Sequence, residues 1–248
     1  MKTIGVIPCR YQSSRFPGKS LALIDGKPMM WHVYQRTLES NVCDEIYIAT
    51  DDQRIKEAGS ELGIESIMTR SDHQTGTDRL AEAAKAVEGN YYINIQGDEP
   101  FIDPEAIKAV ALGIINCQDE SVVASNGYTL IENTADVLNT NVVKVIMNIK
   151  SNALAYSRNP IPYPQSGIVK YYRQLGLYGF TKKGLEVFNN TVAGPIEISE
   201  QVEMYRIIEN DLKVVMIETN DDSLSVDTEH DLRRVIKKMQ KNFSTSMI

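Results

Sequence analysis

The chain has 248 residues, of which 42% are hydrophobic and 24% are charged, and its formal net charge is −7. This composition is typical of a globular protein with a large core and excludes a mainly disordered chain. Binding to nucleic acid is disfavoured as well, because it requires a basic surface.

The sequence predicts neither a targeting signal nor a membrane segment. The apolar start, TIGVIP, is too short for a signal-peptide core, and no stretch approaches the roughly 20 apolar residues of a membrane helix. Cys9, Cys43 and Cys117 are scattered and odd in number, which favours reduced thiols over a disulfide framework or a zinc site. We therefore expect a cytoplasmic protein with no membrane partner.

The first half of the chain alternates strands and helices. In chain order, the sequence predicts the strand TIGVIP, the helix KPMMWHVYQRTLES, the strand DEIYIATD, a helix from Gln53 to Leu62, the strand IESIMT, the helix LAEAAKAV, the strand YYINIQGDEP and a helix from Pro104 to Ile115. This order is typical of parallel βαβ units in a doubly wound α/β sheet, which binds ligands at the carboxyl ends of its strands.

The pattern changes near residue 120. ESVVASNGYTL and NVVKVIMNIKSNALAYSR indicate antiparallel strands, and the Pro-rich NPIPYPQSG indicates an irregular loop. QLGLYGFT predicts a returning strand, SEQVEMYRIIEN a helix, LKVVMIET a strand and TEHDLRRVIKKMQKN a closing helix. The fold prediction is a mostly parallel mixed sheet with an antiparallel subregion, in a single domain spanning 1–248.

Three cations lie close together after the first strand, in IPCRYQSSRFPGKSL. Arg10, Arg15 and Lys19 stand among Ser, Pro and Gly, so backbone N–H groups and positive charge are available together. This combination favours a polyphosphate ligand, although a solvated basic turn is the simpler alternative. The loop matches neither G-x-x-x-x-G-K-[ST] nor G-x-G-x-x-G, so it supports neither a P-loop ATPase nor a dinucleotide-dependent hydride-transfer enzyme.

Two acidic residues follow apolar runs and are candidate metal ligands. Asp98 lies in INIQGDEPFI and Asp227 in SLSVDTEHDL. Mg²⁺ commonly uses one or two carboxylates together with phosphate oxygens of the substrate. Alternatively, Asp98 is a turn residue and Asp227 or Thr228 is a helix N-cap. The cationic loop together with both acids favours binding and cleavage of a metal–triphosphate.

The chain resembles the 3-deoxy-manno-octulosonate (Kdo) cytidylyltransferases, also called CMP-Kdo synthetases. The resemblance covers residues 3 to about 235 and is carried by IPCRYQSSRFPGKSLALIDGKPMMWHVYQR, TRSDHQTGTDR, INIQGDEPFI, NVVKVIMN, ALAYSRNPIPYP, QLGLYGF and VDTEHDL. It implies a nucleotide-diphospho-sugar transferase-like fold, a homodimer and a Mg²⁺-dependent reaction of CTP with an acidic sugar. The products are a CMP-sugar, for lipopolysaccharide or capsule, and pyrophosphate.

The resemblance also implies a division of labour along the chain. Residues 1–120 would bind the nucleotide, 121–215 would serve sugar binding and dimerisation, and 216–248 would supply the returning strand, a metal ligand and the last helix. The implied CTP contacts are Arg10, Ser13, Arg15, Lys19, Thr75, Gly76 and Arg79, with Lys19, Arg10 and Asp98 as catalytic residues. The implied metal ligands are Asp98 and Asp227, and the implied sugar contacts are Gln96, Arg158, Gln174, Glu203 and Met204. A planar guanidinium such as that of Arg158 suits a carboxylate.

Two of the sugar positions depart from the family pattern. Gln174 stands where many members have His, and Met204 stands where they have Gln. A site built around hydroxyl groups discriminates by its polar contacts, so the departures raise the alternative that the acceptor is a Kdo relative such as 8-amino-Kdo. The other alternative is that Met204 and Tyr205 belong to the core and that the acceptor is plain Kdo.

Two functions of other classes remain open from the sequence. A GT-A-like glycosyltransferase would share the sheet and the metal, but no D-x-D motif ends a strand: ATDDQR has adjacent acids, and QGDEP has Glu beside Asp. A non-catalytic nucleotide-binding module would keep the cationic loop and lose a metal ligand, whereas both acids are present.

Overall fold

Strand β1 (Thr3–Cys9) shows why helices cover both faces of the sheet. A computed structural model describes residues 1–13, 15–167, 169–221 and 223–245, with side chains up to residue 238. Along β1, Ile4 and Val6 belong to one buried core, whereas Ile7 and Cys9 belong to the other. Side chains of a strand alternate between faces, so a strand buried on both sides must be apolar throughout.

The first half of the chain forms the parallel part of the sheet. After β1, its elements are β2 (Leu23–Ile24), β3 (Lys27–Pro28), α1 (Met29–Glu39), β4 (Glu45–Thr50), α2 (Gln53–Glu61), β5 (Ser66–Met68), α3 (Gly76–Ala83), β6 (Tyr91–Ile95) and α4 (Pro104–Ile115). Strand β1 lies between β4 and β6 and is parallel to both, and β5 extends this part beyond β4. The strands therefore all end at one edge, where β1 and β6 deliver the cationic loop and Asp98.

The second half of the chain makes the sheet mixed. Its elements are β7 (Val122–Leu130), α5 (Thr134–Leu138), β8 (Lys144–Met147), β9 (Ala153–Ser157), β10 (Tyr172–Thr181), α6 (Lys182–Asn190), α7 (Pro195–Glu200), α8 (Tyr205–Ile208), β11 (Lys213–Glu218) and α9 (Glu229–Thr245). Strand β10 pairs antiparallel with β6 and β7, and β8 and β9 form an antiparallel pair beside it. The strand order is β11-β7-β10-β6-β1-β4-β5. The predicted fold class is confirmed.

Two predicted helices differ from the structure. Helix α3 begins at Gly76, four residues before the predicted LAEAAKAV segment, because Thr75 accepts a hydrogen bond from the Asp78 N–H and caps it there. The single helix predicted over SEQVEMYRIIEN is wrong: α7 ends at Glu200, and Gln201 adopts a left-handed conformation with φ 52°. A separate short helix, α8, follows.

A small apolar cluster fixes the two segments that carry Lys19 and Asp227. Ile24 and Met29, which follow the cationic loop, are buried against Val226 and Val235 from the end of the chain. Within the described residues, no helix is both long and apolar enough to cross a membrane.

Candidate active site

A cleft of about 1030 Å³ opens at the carboxyl edge of the parallel strands. Its walls come from the cationic loop after β1, the start of α3, the turn after β6, and the segment from α6 to α8. This is the position at which open α/β sheets bind ligands, because loops from several strands converge there. The lining includes nine of the predicted site residues, namely Arg10, Lys19, Thr75, Gly76, Arg79, Gln96, Asp98, Glu203 and Asp227.

The cationic loop is held in shape by Tyr11 and Gly18. The Gly18 N–H donates to the Tyr11 carbonyl over 2.7 Å, and Gly18 has φ +72°, a conformation that favours glycine. Arg54 of α2 lies over the Tyr11 ring, 3.3 Å from its centroid. Lys19, which directly follows Gly18, starts a short 3₁₀ turn and points its side chain into the cleft.

Lys19 bridges the two predicted metal ligands. Its Nζ lies 2.6 Å from Asp98 Oδ2 and 3.3 Å from Asp227 Oδ1, although Asp227 is 208 residues away in sequence. Burial lowers the pKa of Lys19, but the carboxylates of Asp98 and Asp227 outweigh this effect and hold the pKa above its ordinary value. Lys19 is therefore a fully charged cation between two carboxylates.

Asp227 is available to the cleft because its neighbour caps the helix. Thr228 Oγ1 accepts from the Asp231 N–H over 3.2 Å, and Asp231 Oδ2 accepts from the Thr228 N–H over 3.0 Å. This reciprocal pair is a capping box at the start of α9. Of the two N-cap alternatives raised by the sequence, Thr228 is the one observed. The Asp227 carboxylate instead contacts Lys19 and Arg15.

The amino end of α3 forms the opposite wall and contacts Glu203. The Glu203 carboxylate accepts from the Thr77 N–H over 3.2 Å and from the Thr77 hydroxyl. Burial raises the pKa of Glu203 to about 7; the Thr77 hydrogen bonds oppose this shift and the nearby Asp78 carboxylate adds to it. Glu203 therefore changes protonation near neutral pH.

Two buried arginines support this wall. Arg79 donates to the Thr69 hydroxyl over 2.5 Å and lies 3.4 Å from Asp51 Oδ1. Arg206 donates to both carboxylate oxygens of Glu197, over 2.7 and 2.5 Å. It also donates to Asp78 Oδ1 over 2.9 Å. The sequence did not predict these partners of Arg206, because Asp78 lies on α3, far along the chain, and Glu197 lies on a different helix, α7.

Five predicted site residues are not among the described residues that line the cleft, namely Ser13, Arg15, Arg158, Gln174 and Met204. Arg15 still reaches the site, since its guanidinium lies 3.1 Å from Asp227 Oδ2. Ser13 stands in the cationic loop, half-buried. The Gln174 amide nitrogen donates to Tyr178 Oη over 2.9 Å.

Met204 needs a correction, whereas the role of Arg158 stays a prediction. Met204 is fully buried in the core, so it does not face a sugar in this structure, and the alternative that it belongs to the core is the one observed. Arg158 donates from Nε to the Glu200 carbonyl over 2.8 Å and from a terminal nitrogen to the Thr140 carbonyl over 2.9 Å. A terminal nitrogen also donates over 3.4 Å to the carbonyl of Gln201, which lines the cleft, so Arg158 lies beside the cleft.

The sheet topology and the position of the cleft define a doubly wound α/β protein with a ligand site at the carboxyl edge of its strands. A solved structure of a putative glucose-1-phosphate thymidylyltransferase from Bacillus anthracis is 15% identical and has a TM-score of 0.67 over 95% of this chain and 94% of its own, which shows a shared fold. The family model described as cytidylyltransferase matches residues 4–218. The chain belongs to this cytidylyltransferase family, as its sequence motifs predicted.

Full-length relatives make the assignment more particular. A protein from Geobacter metallireducens named 3-deoxy-manno-octulosonate cytidylyltransferase is 37% identical and aligns over 97% of this chain and 99% of its own. One with the same name from Solibacter usitatus is 40% identical over 99% and 98%. A solved CMP:2-keto-3-deoxy-manno-octonic acid synthetase complexed with CTP is 36% identical, with a TM-score of 0.92 over 98% of this chain and 100% of its own.

Proposed function

We propose that the protein transfers a cytidylyl group from CTP to a 3-deoxy-2-ulosonic acid, Kdo in the simplest case, and releases pyrophosphate. The observation that carries the proposal is the convergence of Lys19, Asp98 and Asp227 in the cleft of a cytidylyltransferase fold. The names of the full-length relatives and the CTP complex of the structural neighbour support the same reaction.

The cationic loop would hold the triphosphate. Arg10 and Lys19 line the cleft, Arg15 adjoins it through Asp227, and Ser13 lies in the same loop. The anomeric hydroxyl oxygen of the sugar would bond to the α-phosphorus while the bond to the bridging oxygen of the β-phosphate breaks. Pyrophosphate would leave with that electron pair, and the hydroxyl proton would pass to solvent. Lys19 and Arg10 would stabilise the charge that builds on the phosphates.

Thr75, Gly76 and Arg79 would form the nucleoside side of the cleft. A Cβ atom on Gly76 would stand 3.2 Å from Gln96 Oε1 and 3.3 Å from Gln96 Nε2, so the glycine keeps space between α3 and Gln96. Arg79 is buried and fixed by Thr69, so it would offer a preorganised charge rather than a mobile one.

The two acids fit a bound Mg²⁺. Asp98 and Asp227 both reach one cation, and oxygen is the ligand atom that Mg²⁺ prefers. The described residues contain no group of three or more His, Cys, Asp or Glu side chains able to hold a metal ion. A site with two carboxylates suits Mg²⁺ that is completed by substrate phosphates. When bound, the ion would neutralise phosphate charge and lower the pKa of the attacking hydroxyl.

The sugar would occupy the part of the cleft beside Gln96 and Glu203. Both line the cleft, and the partial protonation of Glu203 at neutral pH lets its carboxyl either donate to or accept from a sugar hydroxyl. Plain Kdo is the acceptor that we favour, because burial of Met204 removes one reason to expect a modified sugar. A role for Gln174 in recognising 8-amino-Kdo is the alternative.

We also propose a cytoplasmic homodimer. The segment ALAYSRNPIPYPQSGIVKYYRQLG exposes Leu154 and Tyr163, which are 55% and 81% accessible, and apolar surface of this kind suits a subunit interface. The three cysteines are free thiols, as expected in a reducing compartment. The product would then supply lipopolysaccharide or capsule assembly.

The experiment that tests the proposal measures pyrophosphate release with CTP and Mg²⁺, using Kdo, 8-amino-Kdo or a sialic acid as acceptor. Release with Kdo supports the proposal and makes Gln174 neutral variation. Release with 8-amino-Kdo alone would make Gln174 a specificity determinant. If no acceptor acid leads to pyrophosphate release, the proposed reaction is contradicted. The glycosyltransferase and the non-catalytic nucleotide-binding module would then be the functions to test.

A further inference from the structure

The Lys19 ammonium sits among three oxygen atoms of the active site. Its Nζ lies 2.6 Å from Asp98 Oδ2, 3.2 Å from the Val226 carbonyl oxygen and 3.3 Å from Asp227 Oδ1. The Lys19 side chain is only 12% exposed, so the ammonium group is enclosed by the protein and does not lie on its surface. Carboxylate and carbonyl oxygens are also the ligands that hard divalent cations take in proteins.

The scaffold fixes this position from both sides. Lys19 directly follows Gly18, whose N–H is bonded to the Tyr11 carbonyl. The Val226 N–H donates to the Asp98 carbonyl over 2.8 Å, which ties the two acid-bearing segments to each other. Backbone hydrogen bonds therefore hold together the segments that carry these oxygens.

The local charges cancel among these side chains. The carboxylates of Asp98 and Asp227 face Lys19, and Arg15 lies 3.1 Å from the second carboxylate oxygen of Asp227. A divalent ion arriving alone would have to displace an ammonium group and would meet a pair of acids that is already neutralised. A triphosphate changes this charge balance, because its oxygens can bind Lys19 and Arg15 in place of the two carboxylates.

We propose that Lys19 is a built-in counter-cation that holds the metal position in the nucleotide-free protein, so that the divalent ion enters only with the triphosphate. Lys19 then exchanges its carboxylate partners for phosphate oxygens. The inference rests on the proposed function in one respect, the assignment of Asp98 and Asp227 as metal ligands. It adds that the divalent ion binds together with the triphosphate, and that Lys19 neutralises the metal-binding carboxylates before the reaction.

The test measures Mn²⁺ binding to the full chain by electron paramagnetic resonance, without nucleotide or sugar. We expect Lys19→Met to bind Mn²⁺ at least tenfold more tightly than the wild type, and Arg15→Gln to show a smaller gain. Adding Asp98→Asn to the Lys19 variant should remove the gain. Lys213→Met is the matched control, since it removes a lysine from an exposed pair with Asp119 and should change nothing.

A second measurement makes the inference independent of the folding of one variant. The wild type should gain at least tenfold in Mn²⁺ affinity when a non-hydrolysable CTP analogue is present, beyond the binding of Mn²⁺ to the analogue alone. Mn²⁺ binding by the wild type that is equally tight with and without the analogue would overturn the proposal. So would a folded Lys19→Met protein with no gain. Neither measurement involves turnover, so absence of pyrophosphate release would contradict the proposed function alone.

Discussion

Replacing Asp98 by Asn should separate catalysis from nucleotide binding. The change removes one negative charge 2.6 Å from Lys19 Nζ and keeps the size of the side chain. Two unit charges about 4 Å apart interact by about 4 kcal/mol at an effective dielectric constant of about 20. If the carboxylate holds the metal that neutralises the reacting phosphates, losing that energy in the transition state lowers kcat by about 10³-fold, since each tenfold costs about 1.4 kcal/mol.

Affinity for CTP should change far less. Arg10, Arg15 and Lys19 all remain, and Lys19 loses a competing partner, so the Kd for CTP should stay within about threefold of the wild type or fall. The assay combines steady-state pyrophosphate release with calorimetric titration of CTP. Asp119→Asn is the matched control, because it removes an exposed carboxylate that pairs with a lysine elsewhere. Near-normal turnover in Asp98→Asn would refute the metal assignment.

Three further predictions concern the α3 wall. Arg206→Met leaves the carboxylates of Asp78 and Glu197 without their cationic partner and should lower the free energy of unfolding in urea by about 3 to 5 kcal/mol. The exposed Arg233→Met should change it by less than about 0.5 kcal/mol, and equal effects would contradict the buried network. Gly76→Ala brings a Cβ atom 3.2 Å from Gln96 Oε1 and should raise the KM for the sugar about tenfold, because it displaces the Gln96 amide. The KM for CTP should rise as well, since Gly76 is on the nucleoside side of the cleft; an unchanged KM for the sugar would place Gln96 away from it. Because burial raises the pKa of Glu203 from 4.5 to about 7, the folded state binds the extra proton, so wild-type stability should fall relative to Glu203→Gln as pH rises from about 4.5 to about 7; parallel stability curves for the two proteins would refute the raised pKa.

Helices whose ends are marked by capping residues and proline were predictable from the sequence. The helix predicted from Pro104 to Ile115 has the same bounds in the structure, because Asp103 caps it and Pro104 occupies its first turn. The start of α3 was missed because Gly76 is a weak helix former, and that turn is stabilised by Thr75 and by contact with a distant chain segment.

The charged centre of the site was predictable for a topological reason. Arg10 and Asp98 follow parallel strands, which end at the same edge of the sheet, so their proximity follows from the strand order. The meeting of Asp227 with Lys19 depends on packing of Val226 against the segment after the cationic loop, and no local pattern in the sequence specifies it.

The sugar side was harder to predict. Met204 lies where a short helix begins after the turn at Gln201, so helical periodicity could not show which way its side chain points. The partners of Arg206 lie on α3 and α7, and such long-range ion pairs follow from the fold and not from sequence spacing.

The most direct test of the account follows the phosphorus atoms of CTP in a single turnover with Kdo and Mg²⁺. CTP labelled at the α-phosphorus should give a labelled sugar nucleotide, and CTP labelled at the γ-phosphorus should give labelled pyrophosphate in equal amount. Recovery of the α-label in CDP, or in unreacted CTP after prolonged incubation with active-site concentrations of enzyme, would contradict cytidylyl transfer.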